Sequence, residues 1–326
     1  MKNILKFGLL ISLTLLILSG CSDEVELEKR FGLVGTHNVT TFTANNYDFT
    51  TIYYPTDIAA MSKKSPIIFF ISGWFGTPQT SSKYEALLNF IASHGYTVIY
   101  TDEGSTVDSQ HAIQGFENML ANNEPTFTNQ ILPYIDTAKI GVMGHSAGGG
   151  TTLTTLKYYA SAAKNYGANG RFIMGLDPWY AFDMSEDDIK TLPSNTNLVF
   201  IKFGERGFSI NDDTDPRIVL TQYNFLESIS SSKKDYQVYD QENADHSYPT
   251  GNRAYTDMQG ILKPLDALLD FTFVEQSERT RVNALELGDD DPYNNGNGIQ
   301  LVKPKNEYYY KCDGANTIID YCEIID

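Results

Sequence analysis

The decapeptide Gly141-Val-Met-Gly-His-Ser-Ala-Gly-Gly-Gly150 constrains the fold more than any other stretch of this chain. An apolar run enters it, small residues and a helical pattern leave it, and a serine stands between two glycines in the pattern G-x-S-x-G. A backbone that passes from strand to helix within so few residues must turn sharply, and glycines on both sides of the serine are what such a turn needs. In this context Gly144-His145-Ser146-Ala147-Gly148 predicts an elbow. The Ser146 hydroxyl would project from it, and the Ala147 backbone N–H would face a developing oxyanion.

The surrounding pattern predicts the sheet that carries this elbow. Short apolar runs at residues 66–72, 96–100, 139–143, 171–176, 197–203 and 236–239 alternate with helical spacing at 84–93, 110–121, 149–163 and 216–230. Apolar strands alternating with helices mean a mostly parallel sheet covered on both faces, an α/β architecture. The stretch 39–54, rich in Thr, Tyr and Phe, reads as antiparallel strands at the sheet edge. No repeat or low-complexity linker divides residues 21–275, so one catalytic domain is expected there. The polar segment 276–326 reads as a C-terminal extension.

With 41% hydrophobic and 20% charged residues, the 326-residue chain is ordinary for a globular protein and unlike a disordered or fibrous one. Its formal charge of −17, from 24 basic against 41 acidic residues, argues against a nucleic-acid partner, because phosphate binding draws on clustered Lys and Arg. Residues 1–20 read as a targeting segment: Lys2 and Lys6 lead into the apolar run 7–18, too short for a spanning helix. Its ending, Leu18-Ser19-Gly20-Cys21, resembles a bacterial lipobox, in which the cysteine is acylated and becomes the mature N-terminus. Ser22 in place of aspartate resembles the outer-membrane sorting pattern of Gram-negative bacteria. An exported protein, lipid-anchored through Cys21 at the outer membrane or cell surface, is therefore expected.

Export also bears on the two remaining cysteines, Cys312 and Cys322, which are expected to bridge in an oxidising compartment and pin the tail. The stretch 288–298 has calcium-like oxygen chemistry but lacks the spaced register and final glutamate of a Ca²⁺ loop, so it reads as a solvated turn. No metal site is expected.

A nucleophilic serine needs a base, and the chain holds five histidines: His37, His94, His111, His145 and His246. Behind an elbow of this type the acid and then the histidine follow the serine in chain order, and only His246 follows Ser146. It falls in the polar loop Glu242-Asn-Ala-Asp-His-Ser-Tyr248, just after a strand. The loop Ser72-Gly-Trp-Phe-Gly-Thr77, after an early strand, is placed to supply the second oxyanion donor, and the Trp74 ring can wall an acyl pocket.

Gly73-Trp-Phe-Gly-Thr77, Ile91-Ala-Ser-His-Gly-Tyr-Thr-Val-Ile99, the elbow, Pro178-Trp179 and Ala244-Asp-His246 together resemble the bacterial cutinase and polyester-hydrolase group of α/β-hydrolases. Platelet-activating-factor acetylhydrolases and chlorophyllases share much of this pattern. The likeness spans roughly residues 50–275, and the elbow and oxyanion loop are its specific parts. It implies an α/β-hydrolase fold and a serine ester hydrolase without metal or organic cofactor. It also implies that the Trp74 N–H joins that of Ala147 in the oxyanion hole, and that Trp179 lines an open aromatic groove.

The acid departs from the cutinase pattern. Cutinase-like enzymes carry the aspartate just after the strand matching 197–203, where this chain reads Gly204-Glu-Arg-Gly207. Asp212 and Asp213 come several residues later, and Asp215, before Pro216, reads as a helix N-cap. Asp177, directly after the strand 171–176, sits where acetylhydrolase-like and chlorophyllase-like relatives carry theirs, and it is preferred over Asp213. The resulting expectation is a monomeric carboxylic-ester hydrolase using Ser146, His246 and Asp177 through an acyl-enzyme, on short to medium acyl esters or polyesters. The alternatives are a phospholipase-like acetylhydrolase and a surface-binding lipoprotein with an idle triad, the latter suggested by tail tyrosines such as Tyr308-Tyr-Tyr310.

Overall fold

The computed structural model describes residues 30–44, 50–75, 80–102, 109–179, 181–203, 216–239, 244–251, 253–286 and three two-residue strands in the tail. Cys21, Cys312, Cys322, Asp212, Asp213, Asp215 and the stretch 288–298 lie outside them. The strands are β1 (Val39–Ala44), β2 (Thr50–Pro55), β3 (Ser65–Ile71), β4 (Thr97–Thr101), β5 (Ile135–His145), β6 (Arg171–Leu176), β7 (Thr196–Phe203), β8 (Lys234–Tyr239), β9 (Leu301–Val302), β10 (Tyr310–Lys311) and β11 (Glu323–Ile324). The helices are α1 (Glu85–Ser93), α2 (Ser109–Ala121), α3 (Ala147–Gly150), α4 (Thr152–Ala160), α5 (Glu186–Lys190), α6 (Pro216–Phe225), α7 (Gln259–Phe273) and α8 (Glu278–Leu285).

Nine strands form one sheet in the order β1-β2-β4-β3-β5-β6-β7-β8-β9. The run from β4 to β8 is parallel throughout, while β1, β2 and β9 pair antiparallel at the two edges. This is the mostly parallel α/β sheet expected from the alternation of apolar runs, in the α/β-hydrolase form that the resemblance implies. The side-chain period of two explains why those runs look uniformly apolar: in β3, Ile67, Phe69 and Ile71 join one core while Ile68 and Phe70 join the other. On one face the sheet shares a core with Leu87, Leu88 and Ile91 of α1 and Leu265 and Leu268 of α7. On the opposite face the sheet shares a core with Phe116 and Met119 of α2, Leu153 and Leu156 of α4, and Val219 of α6. Each such fully buried side chain contributes about 1.5–3 kcal/mol.

Two elements differ from the sequence pattern. No helix is expected over Gln259–Phe273, yet α7 is the longest helix among the described residues, with Pro264 inside it. An interior proline costs a helix about 3 kcal/mol, but Ile261, Leu262, Leu265, Leu268 and Leu269 are all buried against the sheet, and this burial outweighs the local penalty. The boundary expected at residue 275 falls between α7 and α8, while Ala284 and Leu285 of α8 sit in the same core as α7. The described residues from Phe31 onward group as one compact unit. In the tail, β10 and β11 pair antiparallel with Lys311 opposite Glu323, and the next residues inward along the chain are Cys312 and Cys322.

Candidate active site

The elbow sits at the carboxyl end of β5, near the middle of the parallel sheet. Ser146 adopts φ 56° and ψ −121°, a strained backbone for a non-glycine residue. Hydrogen bonds on both sides of it hold that conformation: its N–H donates to Leu176 O at 3.0 Å, and its carbonyl accepts from Trp179 N at 2.8 Å and Gly150 N at 3.1 Å. The two motif glycines are there for space. A Cβ on Gly144 would lie 2.1 Å from Gly148 O, and one on Gly148 would lie 2.2 Å from Ser72 O. Ala147 opens α3, where a backbone N–H has no intrahelical acceptor.

Asp177 follows the last residue of β6, with φ 46°, a left-handed conformation that Asp tolerates better than most residues. Its N–H donates to Ile201 O on β7 at 2.6 Å. Its side chain is fully buried, with Oδ2 accepting from His246 Nδ1 at 2.5 Å and Oδ1 paired with Lys202 Nζ at 2.8 Å. Lys202, on neighbouring β7, is itself buried. The carboxylate thus faces an imidazole on one side and an ammonium on the other, the arrangement a buried charge requires.

His246 stands in the loop after β8. Its Nε2 lies 3.0 Å from Ser146 Oγ, completing a continuous chain of hydrogen bonds from the serine through the imidazole to Asp177. With Nδ1–H donated to a carboxylate, Nε2 is the free acceptor for the serine hydroxyl. A tight local turn presents the ring. Asp245 Oδ1 accepts from both Ser247 N and Ser247 Oγ, and Tyr248 N donates to Asp245 O. The Ser247 hydroxyl and then its N–H hold the Asp245 carboxyl below the ordinary carboxylate range. Tyr248 anchors the loop from beneath, packed on Phe203 and Tyr239.

On the other side of the elbow, Ser72 Oγ donates to Asp102 Oδ1 at 2.8 Å and Gly73 N donates to Tyr84 Oη at 2.9 Å. This segment abuts Ser146, since a Cβ on Gly73 would lie 3.2 Å from Ser146 Cβ. Beyond it Trp74 and Phe75 are among the few large apolar side chains that stand exposed, at 46% and 38%. Lys83 Nζ sits 3.5 Å from the centre of the Phe75 ring. Trp179 is half-buried, edge-on to Phe182 at 5.4 Å, and its carbonyl accepts from Gln222 Nε2.

Of the expected site residues, Ser146, Asp177 and His246 come together, Ala147 flanks the serine directly, and the Gly73–Trp74 segment borders it. His37 is paired with Asp57, and His94 bonds Phe90 O on its own helix. Three residues that the sequence pattern does not single out also meet here: Lys202, Tyr84 and His145. Lys202 carried a signal, as the one basic residue in the apolar run 197–203. His145 lay within the motif itself. Among the described residues, no group of three or more His, Cys, Asp or Glu side chains could hold a metal ion, and no helix is long and apolar enough to cross a membrane.

The chain matches the family described as PET hydrolase-like over residues 23–261. It is also similar to Cutinase est2 of Thermobifida alba, 32% identical over 137 residues, which are 40% of this chain and 42% of that protein. Against the Cutinase of Thermobifida fusca (strain YX) it is 31% identical over 121 residues, 37% of this chain and 38% of that one. The chain matches about two fifths of the length of these curated relatives.

Proposed function

The chain belongs to the PET hydrolase-like family, and from that premise we propose that it is a serine carboxylic-ester hydrolase working through an acyl-enzyme. The observation that carries the reading is the hydrogen-bonded chain Ser146–His246–Asp177 at the carboxyl end of the sheet. In the proposed mechanism His246 Nε2 takes the Ser146 proton as Oγ attacks an ester carbonyl. Asp177 holds the imidazole tautomer and stabilises the imidazolium that forms. The N–H groups of Ala147 and Trp74 receive the oxyanion, a contribution of about 3–4 kcal/mol for one donor in a comparable site. His246 then protonates the leaving alcohol, and water, activated by the same imidazole, releases the acid. The exposed rings of Trp74 and Phe75, with Trp179 nearby, suit an apolar acyl or aromatic substrate, an ester or a polyester.

A second reading, a phospholipase-like acetylhydrolase, is favoured by one observation: the carboxylate that meets His246 comes from the end of β6. The two readings separate on a panel of short-chain esters, a short-acyl phospholipid and a polyester film. Hydrolysis of the film with broad acyl tolerance supports the first, and activity confined to the phospholipid supports the second. An idle site would fail to label with a fluorophosphonate probe. Ser146→Ala should abolish both labelling and turnover, a loss of about 10⁶-fold by analogy with a serine protease, without changing the melting temperature by more than a few degrees. Near-native turnover in that variant would sink the hydrolase reading.

Export, lipid anchoring through Cys21 and a Cys312–Cys322 disulfide belong to the same proposal. Incorporation of labelled palmitate into the wild type but not into Cys21→Ser tests the anchor. Thiol titration of the unfolded, unreduced protein tests the bridge.

A further inference from the structure

A buried row of hydrogen bonds crosses the floor of the site and touches none of the reacting atoms. Gly73 N–H donates to Tyr84 Oη at 2.9 Å, the Tyr84 hydroxyl meets His145 Nδ1 at 2.8 Å, and His145 Nε2 meets the backbone carbonyl of His246 at 2.7 Å. Chemistry fixes the direction of each link. A carbonyl only accepts, so His145 Nε2 carries the proton. Burial, and then the charge of neighbouring His246, push the His145 ring down to about 3, so it is neutral at working pH and its Nδ1 presents a lone pair. Tyr84 must therefore donate to His145, which leaves its own lone pair for the Gly73 N–H. Burial pushes the Tyr84 phenol up, so it remains a donor.

We propose that Tyr84 and His145 are positioning residues that tie the oxyanion segment and the base loop to the elbow, so that Trp74 N–H, Ser146 Oγ and His246 Nε2 keep one relative geometry. The inference rests on the hydrolase reading above. Its physical content is that His145, the residue immediately before the nucleophile, reaches in both directions at once. One ring nitrogen holds the segment ending in Trp74 through Tyr84, and the other holds the main chain of the base itself. The loop that carries His246 has its ring half-exposed, and this carbonyl is the point at which the elbow grips it. A displacement of about 1 Å in such a constellation costs up to about 100-fold in rate.

The test compares side chains that keep or lose the donor–acceptor pattern. The Gln amide can donate to His246 O and accept from Tyr84, whereas Leu fills similar space and can do neither. Kinetics on a short-chain ester, at a temperature below every variant's melting point, should show kcat lowered about 10- to 100-fold in His145→Leu and in Tyr84→Phe. KM should remain within about threefold, and His145→Gln should recover at least about tenfold of the kcat lost in His145→Leu. A merely space-filling role would leave Gln and Leu alike. Equal kcat in those two variants, or Tyr84→Phe within twofold of wild type, overturns the inference. If the wild type labels with fluorophosphonate and turns over ester, that result removes the relay alone. If the wild type does neither, the hydrolase reading falls and the relay's catalytic role falls with it.

Discussion

The elbow and Asp177, at the ends of β5 and β6, differ sharply from the two loops that flank them. Ser146 and Asp177 both sit at positive φ and are held by backbone hydrogen bonds to neighbouring strands. The side chain of Asp177 is fully buried, and its two oxygens face Lys202 and His246. Across from them, Trp74 is 46% exposed and the His246 side chain 44% exposed, on segments held by turns and a few anchors. The contrast divides the labour of the site. The sheet bears the strain and holds the charge, and the loops present the His246 imidazole and the apolar rings towards solvent.

Changes on the buried side should therefore act on rate and stability, and changes on the exposed side on substrate affinity. The largest effect is expected from Asp177→Asn. Asn tolerates left-handed backbone, so the local chain path should survive, while kcat falls about 10⁴-fold, as the same change does in a serine protease; the buried Lys202 ammonium loses its partner, so the urea midpoint should fall as well. KM should change little, and Asp213→Asn should lose almost nothing. The reverse ranking in steady-state kinetics would move the acid to the segment after β7.

Lys202→Met strips the buried carboxylate of its ammonium partner. Removing one member of a buried ion pair costs about 3–5 kcal/mol, which should appear as a lower urea midpoint together with reduced kcat. A midpoint within error of wild type would show that the ammonium is not what keeps the Asp177 charge buried.

The buried side should also weaken in acid through His145. Its folded value of about 3 lies below the ordinary histidine value of about 6.5, so between these the unfolded chain binds a proton that the folded protein refuses. The stability this neutral ring gives is fully present above pH of about 6.5 and drains away as pH falls towards 3, by at most about 1.4 kcal/mol per pH unit. Urea titrations at neutral and mildly acidic pH should show a larger loss in wild type than in His145→Gln. Equal losses would assign the acid sensitivity to other groups.

The smallest effect belongs to the exposed side. Trp74→Ala keeps the backbone N–H proposed for the oxyanion and removes only a half-exposed ring. KM for an apolar ester should rise about three- to tenfold, an effect of about 1 kcal/mol, with kcat within about twofold. A large fall in kcat instead would mean that the ring also sets the path of the loop.

Much of this architecture was legible because it depends on local pattern. The strand ends of β6 and β7 were readable to within a residue or two from their apolar runs, and the hydrolase elbow from two glycines that only close backbone contacts demand. Helix α7 was not legible, because Pro264 breaks the local helical signal and only the sheet beneath supplies the compensating burial. Lys202 was visible as an oddity but not interpretable, since nothing near it in the chain shows which charge it meets.

By itself, then, the sequence determined the parallel sheet, the turn that lifts Ser146 and, through chain order, His246 as the histidine to look for. These follow from periodicity, glycine sterics and the direction of the chain, all of which act over a few residues or along one dimension. Which carboxylate meets that histidine, and the partners of Tyr84, His145 and Lys202, were decided only by the tertiary structure. Asp177 lies 69 positions from His246 and Tyr84 lies 61 from His145. A hydrogen bond is satisfied at about 3 Å in space, and no local pattern along the chain encodes that distance.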